Sequence, residues 1–245
     1  MRVAASLLSL AACLPQLVSA HGFVSGVRVN GKWTATSDPV WFYYPAGQGP
    51  VTAGWDSLNQ DLGFVEPARY GSSDIACHKS ATAGKNFIDV NAGQTIELYW
   101  NTWPESHKGP IIDYLAPYNG ETTAGSLSWS KFSQRALSSG QRWVTDDLIS
   151  NNFTTTTTIP RNLAPGNYVL RHEIIALHGA TSDNGAQNYP QCLNLRVGGS
   201  GSVRPSGGVV GTSLYKRNDP GVMFNVYQTV TSYPYPGPAL WTAAN

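Results

Sequence analysis

The chain has 245 residues, with 16 Lys and Arg against 15 Asp and Glu and a formal net charge of +1. So even a balance excludes nucleic acid and anionic membrane surfaces as principal partners, because both select a basic excess. Charged side chains make up only 13% of the chain, while 25 Gly and 16 Pro punctuate it, a composition that favours short strands and loops over long helices.

In chain order, the first feature is a leader over residues 1–20. Arg2 supplies a positive start, Val3 to Leu14 is apolar, and Val18-Ser19-Ala20 offers the small residues of a secretory cleavage site. The apolar run is too short to span a bilayer, so a secreted, extracellular protein beginning at His21 is expected. Next, Val27-Arg28-Val29 and Lys32-Trp33 flank Asn30-Gly31. Both turn residues tolerate positive φ, and the spacing predicts a hairpin. Ile96, Leu98 and Trp100 alternate with Glu97 and Tyr99, the period of a half-buried strand.

Leu127–Leu137 offers one short helix. Asn152-Phe153-Thr154 is a sequon for N-glycosylation at Asn152. Thr154–Thr158 runs into Ile159-Pro160 and reads as a β-branched strand rather than a mucin-like stalk. After the turn Ala164-Pro165-Gly166, the apolar and β-branched stretch Asn167–Leu177 predicts a long strand. Val222–Val230 alternates again, with Met223, Asn225, Tyr227 and Thr229 on one face. These elements predict an all-β fold, an antiparallel β-sandwich of the immunoglobulin/fibronectin-like kind whose long loops carry short helices. No repeat, low-complexity tail or linker divides residues 21–245, which are expected as a single domain. Of three cysteines, Cys13 leaves with the leader. Cys77 and Cys192 are the pair that stays, and secretion favours a disulfide between them.

Five histidines carry the candidate chemistry: His21, His78, His107, His172 and His178. Cleavage after Ala20 gives His21 both a free amine and an imidazole, which can chelate one metal ion together. One further imidazole completes three nitrogens in a planar T, a geometry suited to copper. His107 sits on the loop Pro104-Glu105-Ser106-His107-Lys108-Gly109-Pro110, just past the Ile96–Trp100 strand, where a ligand can be presented. The residues alone favour the plainer reading, an exposed loop histidine. Gln187-Asn188-Tyr189-Pro190-Gln191-Cys192 ties a tyrosine and a glutamine to the cysteine pair. A tyrosine oxygen suits a weak axial ligand, and a glutamine amide suits a hydrogen bond to an oxygen species. His172, in mid-strand, and His78, next to Cys77, read as structural.

The chain resembles the fungal lytic polysaccharide monooxygenases of auxiliary activity family nine, formerly glycoside hydrolase family sixty-one. The resemblance is carried by six segments in order: His21-Gly22-Phe23-Val24, Asp74-Ile75-Ala76-Cys77-His78, Ser106-His107-Lys108-Gly109-Pro110, the run from Ala164 to His178, the run from Gly185 to Cys192, and Tyr233-Pro234-Tyr235-Pro236-Gly237-Pro238. It implies one copper ion per chain, held by a brace of His21 and His107 with Tyr189 as axial tyrosine. It further implies that His178 and Gln187 hydrogen-bond the oxygen species and supply a proton. Cys77 and Cys192 match the family's disulfide. Tyr233 matches an aromatic that stacks on glucan, and Tyr44 is a second candidate contact. The implied activity is copper-dependent oxidative cleavage of cellulose, a β-1,4-glucan, at C1 or C4. It draws on an external electron donor with hydrogen peroxide or dioxygen. Apart from the resemblance, a monomer is the default expectation, and with no linker or second domain in the sequence no appended carbohydrate-binding module is expected.

The sequence departs from some relatives at Tyr118 and Glu121, where those carry a second small disulfide. Two competing functions have their own signatures. A hydrolytic endoglucanase needs two carboxylates flanking the bond, and Asp74, Glu105, Asp113 and Glu173 are candidates without an evident pairing. A non-catalytic carbohydrate- or copper-binding protein would release no product.

Overall fold

In the computed structural model, which describes residues 21–45, 48–120 and 122–245, two sheets stack around one apolar layer. The leader predicted over residues 1–20, and Glu121, lie outside the described residues. The strands are β1 Val24–Val29, β2 Lys32–Ala35, β3 Ile88–Asn91, β4 Thr95–Trp100, β5 Ile111–Pro117 and β6 Ser128–Arg135. There follow β7 Leu137–Ser139, β8 Arg142–Trp143, β9 Thr154–Thr158, β10 Gly166–Ala176, β11 Gln187–Gly198 and β12 Val209–Val210. Helices are short: α1 Asp74–Cys77 and α2 Val144–Ser150, with 3-10 turns such as Pro39–Tyr43 in the loops.

The smaller sheet runs β2-β1-β4-β9, and the larger runs β12-β6-β5-β10-β11-β3. The predicted hairpin opens the smaller sheet. Asn30 and Gly31 sit at φ 49° and 77°, the left-handed pair that lets Val29 face Lys32 across a two-residue turn. Pairing is antiparallel throughout both sheets except between β11 and β3, which run parallel.

Strand β10 shows how the chain builds two cores from one period. Tyr168, Leu170, Ile174 and Ala176 face the smaller sheet, where they meet Val27, Ile96 and Leu98. Val169 and Ile175 face the other way, into a second apolar layer with Trp55, Ile75, Trp129, Tyr215 and Val222. Both faces are covered, so the strand is buried almost along its length. Cys77 at the end of α1 is bonded to Cys192 in β11, with Cα atoms 5.3 Å apart. That bridge clamps the second layer to the sheet.

Two predicted elements are otherwise. Leu127–Leu137 is not a helix; its centre is strand β6. Trp129 and Phe132 have opposite parity and enter different cores, which only an extended strand allows. Val222–Val230 forms no strand. Val222, Val226 and Val230 are buried while Met223 and Tyr227 are exposed, so every fourth residue turns inward. The alternation seen in the sequence is carried by turns.

Candidate metal centre

Five chain segments converge at one end of the sandwich, because antiparallel neighbours bring starts and finishes together. They are the approach to β1, the β4–β5 loop, the end of β10, the start of β11, and Phe64 from the loop before α1. His21 immediately precedes the β1 region, and its ring lies 5.4 Å from that of His107, centre to centre. It stacks on Tyr189 at 5.7 Å and packs against Phe64 at 5.8 Å. His178, just past β10, lies with its ring 4.0 Å from His107. The Tyr189 hydroxyl donates to Gln187 Oε1 at 2.7 Å. Every residue predicted for the metal set and its proton-handling neighbours therefore meets in one cluster.

His107 is the best-defined member. It is buried, its backbone N–H donates to Pro104 O at 3.0 Å, and its Nδ1 lies 3.1 Å from Ser106 Oγ. The opposite ring nitrogen, Nε2, has no hydrogen-bond partner among the described residues. A buried ring nitrogen without a partner loses its hydration for no return. A metal ion at that lone pair would recover the loss. Burial, together with the neighbouring His178 and His21 rings, pushes the His107 pKa down to about 3. Burial lowers His21 too, with Asp61 opposing and Lys79 adding, and it lowers His178. Neutral imidazole is the metal-binding form, so the cluster is poised to coordinate. Burial raises the Tyr189 hydroxyl, which keeps it protonated and neutral.

No three His, Cys, Asp or Glu side chains form a metal-holding group among the described residues. A site built on His21 and His107 needs only two imidazoles and takes its third nitrogen from the His21 amine. The donor set fits copper, which favours imidazole and amine nitrogen.

The remaining expectations divide. His172 and His78 are both fully enclosed, as read from the sequence. His78 accepts from Lys79 N–H at Nδ1, 2.9 Å, and therefore donates through Nε2 to Gly63 O at 3.0 Å. Asn152 is exposed, in the turn after α2. Tyr44 is 49% exposed and lines a groove with Trp41 and Phe42. Tyr233 does not present a ring to solvent. It is buried, its hydroxyl donates to Gly221 O, and Trp143, Phe224 and Tyr235 pack edge-on around it. The aromatic exposed beside the centre is Tyr227, 73% accessible, whose hydroxyl donates to the His178 carbonyl at 2.9 Å. The sequence places it inside the expected strand Val222–Val230, as one residue of a strand face, which gives it no role at the site.

Two of the four candidate carboxylates for hydrolysis are engaged in the core. Asp113 is bonded to His172, and Glu173 pairs with Arg171, all fully buried. Neither can flank a glycosidic bond.

The sequence pattern of Auxiliary Activity family 9 (formerly GH61) matches residues 21–235. The chain belongs to this family. AA9 family lytic polysaccharide monooxygenase F of Malbranchea cinnamomea is 50% identical over 97% of this chain and 96% of its own. The F enzyme of Emericella nidulans is 50% identical over 92% and 93%. Among solved structures, the extended catalytic domain of H. jecorina LPMO9A superposes with a TM-score of 0.85, at 48% identity and 92% coverage of both chains. This family 9 chain is accordingly an oxidoreductase of the lytic polysaccharide monooxygenase class, built on a β-sandwich.

Proposed function

We propose that this monooxygenase is a secreted, copper-dependent enzyme that cleaves cellulose oxidatively, hydroxylating C1 or C4 of the β-1,4-glucan. The observation that carries the reading is the buried, partnerless Nε2 of His107, whose ring clusters with those of His21 and His178. His21, through amine and ring, and His107 would hold the copper, with the Tyr189 hydroxyl as a neutral oxygen beside them. Bound there, copper supplies one-electron chemistry with an external donor and with hydrogen peroxide or dioxygen. Residues 1–20 serve as the leader whose removal frees the His21 amine, and residues 21–245 act as a single catalytic domain and monomer.

The surrounding side chains do the rest. Gln187 accepts from the Tyr189 hydroxyl, which leaves its amide N–H₂ to donate toward an oxygen species above the site. His178 lies against His107 and carries the second hydrogen bond and the proton. Hydroxylation leaves C4 bearing two oxygens, or the anomeric C1 bearing three; the new hydroxyl then becomes a carbonyl as the C–O bond to the neighbouring sugar breaks, and its proton passes to the departing sugar oxygen. Tyr227, beside His178, stacks on a glucosyl ring and Tyr44 extends the contact, each worth roughly 1 kcal/mol. Asn152 accepts the glycan, away from the metal ligands in sequence and exposed.

The deciding experiment compares protein starting at His21 with protein carrying one extra Ala before it. One-to-one copper binding that the extra residue abolishes, with oxygen-bearing oligosaccharides released from cellulose only by the first, is the expected result. Equal binding by both would remove the brace. Release of ordinary reducing ends alone would return the protein to hydrolysis.

A further inference from the structure

At the centre of the sandwich lies a polar pair that the reaction does not use. His172 of β10 and Asp113 of β5 are register partners, both fully buried on the side facing the smaller sheet. Across the layer, Trp100 of β4 points its indole Nε1 at His172 Nε2, 3.2 Å away. Indole N–H is only a donor. His172 Nε2 must therefore accept, and its proton sits on Nδ1, which donates to Asp113 Oδ1 at 2.6 Å. The tautomer and the ring plane are thereby set from both sides, and one hydrogen bond ties the two sheets together.

The chain of contacts continues to the metal centre. Trp100 packs edge-on against Trp103 at 5.2 Å. Trp103 donates through Nε1 to the His107 backbone carbonyl at 2.9 Å. The same indole stands edge-on to the His107 ring at 5.8 Å and to the Tyr189 ring at 5.0 Å. One side chain thus sets the backbone of one expected ligand and the ring of another. The arrangement is a costly way to fill a core. The Asp113 carboxylate is fully buried and held by His172 and by the Thr157 hydroxyl, and an apolar pair of the same volume would avoid the cost of burying it.

We propose that Asp113 and His172, which touch no metal ligand themselves, are positioning residues for the metal centre, acting through Trp100 and Trp103 on His107 and Tyr189. The proposal rests on the copper reading above for its first test and stands free of it in the second.

The first test loads full-length mature protein with one equivalent of Cu(II) and records the electron paramagnetic resonance spectrum and the copper affinity. Trp100→Phe keeps a ring and removes only the N–H; His172→Leu and Asp113→Leu remove the pair. Leu195→Ala, a fully buried change on β11 in the same core, is the matched destabilised control. Expected are a shifted hyperfine splitting and about tenfold weaker copper in the three variants, in the range of lost outer-sphere support. Asp113→Asn keeps an oxygen acceptor for His172 and should return both readouts to wild type. Wild-type spectrum and affinity in Trp100→Phe, with a melting temperature lowered as in Leu195→Ala, would overturn the proposal. Should His172→Leu fail to fold, Trp100→Phe and Asp113→Asn still decide.

The second test needs no metal. In copper-free protein, Trp100→Phe should move the amide resonances of Trp103 and His107 while Leu195→Ala leaves them in place. Unmoved resonances would overturn the proposal even if copper binds as expected. A wild-type protein that binds no copper would sink the copper reading and leave this second measurement to decide alone.

Discussion

At the residue scale, two histidines, His78 and His178, have opposite duties because their nitrogens face different partners. Both nitrogens of His78 are engaged with the backbone, so it has no lone pair to offer. Its protonation would place a proton on Nδ1 against the Lys79 N–H. Burial, then the nearby Lys79 charge, lowers its pKa from 6.5 to about 4. The unfolded chain therefore takes up a proton that the folded chain refuses between about pH 6.5 and 4, and stability falls across that window as pH falls. For a fully buried group shifted by that much the loss is of order 3 kcal/mol. The copper-free melting temperature should drop on acidification from pH 6.5 to 4. In His78→Gln the drop should be smaller, from a lower starting stability. An identical pH profile in both proteins would show that His78 is not the group responsible.

His178 is the opposite case. Its Nδ1 is buried without a partner among the described residues, and its ring lies against that of His107, the proposed metal ligand, rather than a backbone carbonyl. His178→Ala should lower turnover on cellulose on the order of 100-fold, the range of a lost general acid. Copper affinity should stay near wild type, since no expected ligand is removed. Unchanged turnover, measured on oxidised products, would refute the proton-handling role.

At the element scale, the His107 loop is held on β10 by its backbone. Leu177 N–H donates to Lys108 O at 2.9 Å, and Ile175 N–H to Pro110 O at 3.2 Å. Gly109, between them, has no room for a side chain: a Cβ there would stand 1.8 Å from Ile175 O. Gly109→Ala must push the loop off the strand. Overpacking of that kind costs about 1–3 kcal/mol, and here the displacement reaches His107 two residues away. The variant should melt lower and bind copper more weakly; a lower melting point with unaltered copper binding would detach the loop from the site.

Strands of this kind are also where the sequence is most readable. Asn167–Leu177 is legible because its residues are β-branched and apolar on both faces, and the Asn30-Gly31 hairpin because two residues of positive φ say where the chain reverses. Val222–Val230 misleads because buried valines recur every fourth residue in a chain of turns, which periodicity alone cannot tell from other patterns. Tyr233 misleads likewise. Its motif places it near a surface, and only the packing of Trp143 and Phe224 around it reveals that the ring faces inward. The His21, His107 and Tyr189 cluster is invisible to spacing, since its members lie far apart in the chain. It became readable through six motifs in order, and its geometry came from antiparallel strand ends meeting at one pole.

At the scale of the whole molecule, two of the devices that hold β11, which carries Gln187, Tyr189 and Cys192, act in contrasting ways. One is the ladder to β10, unbroken from Gly166↔Val197 to Ala176↔Gln187. The other is the Cys77–Cys192 bridge, which closes a loop of 115 residues. They act on different states. The ladder sets where Tyr189 and Gln187 stand in the folded protein, while a bridge across so long a loop acts chiefly by restricting the unfolded chain, at most roughly 4–5 kcal/mol. The double variant Cys77→Ser with Cys192→Ser should therefore lose stability in denaturant titration yet keep the copper affinity of the folded protein. If affinity instead falls in step with stability, the bridge, and not the ladder, sets the register of the tyrosine and glutamine at the metal centre.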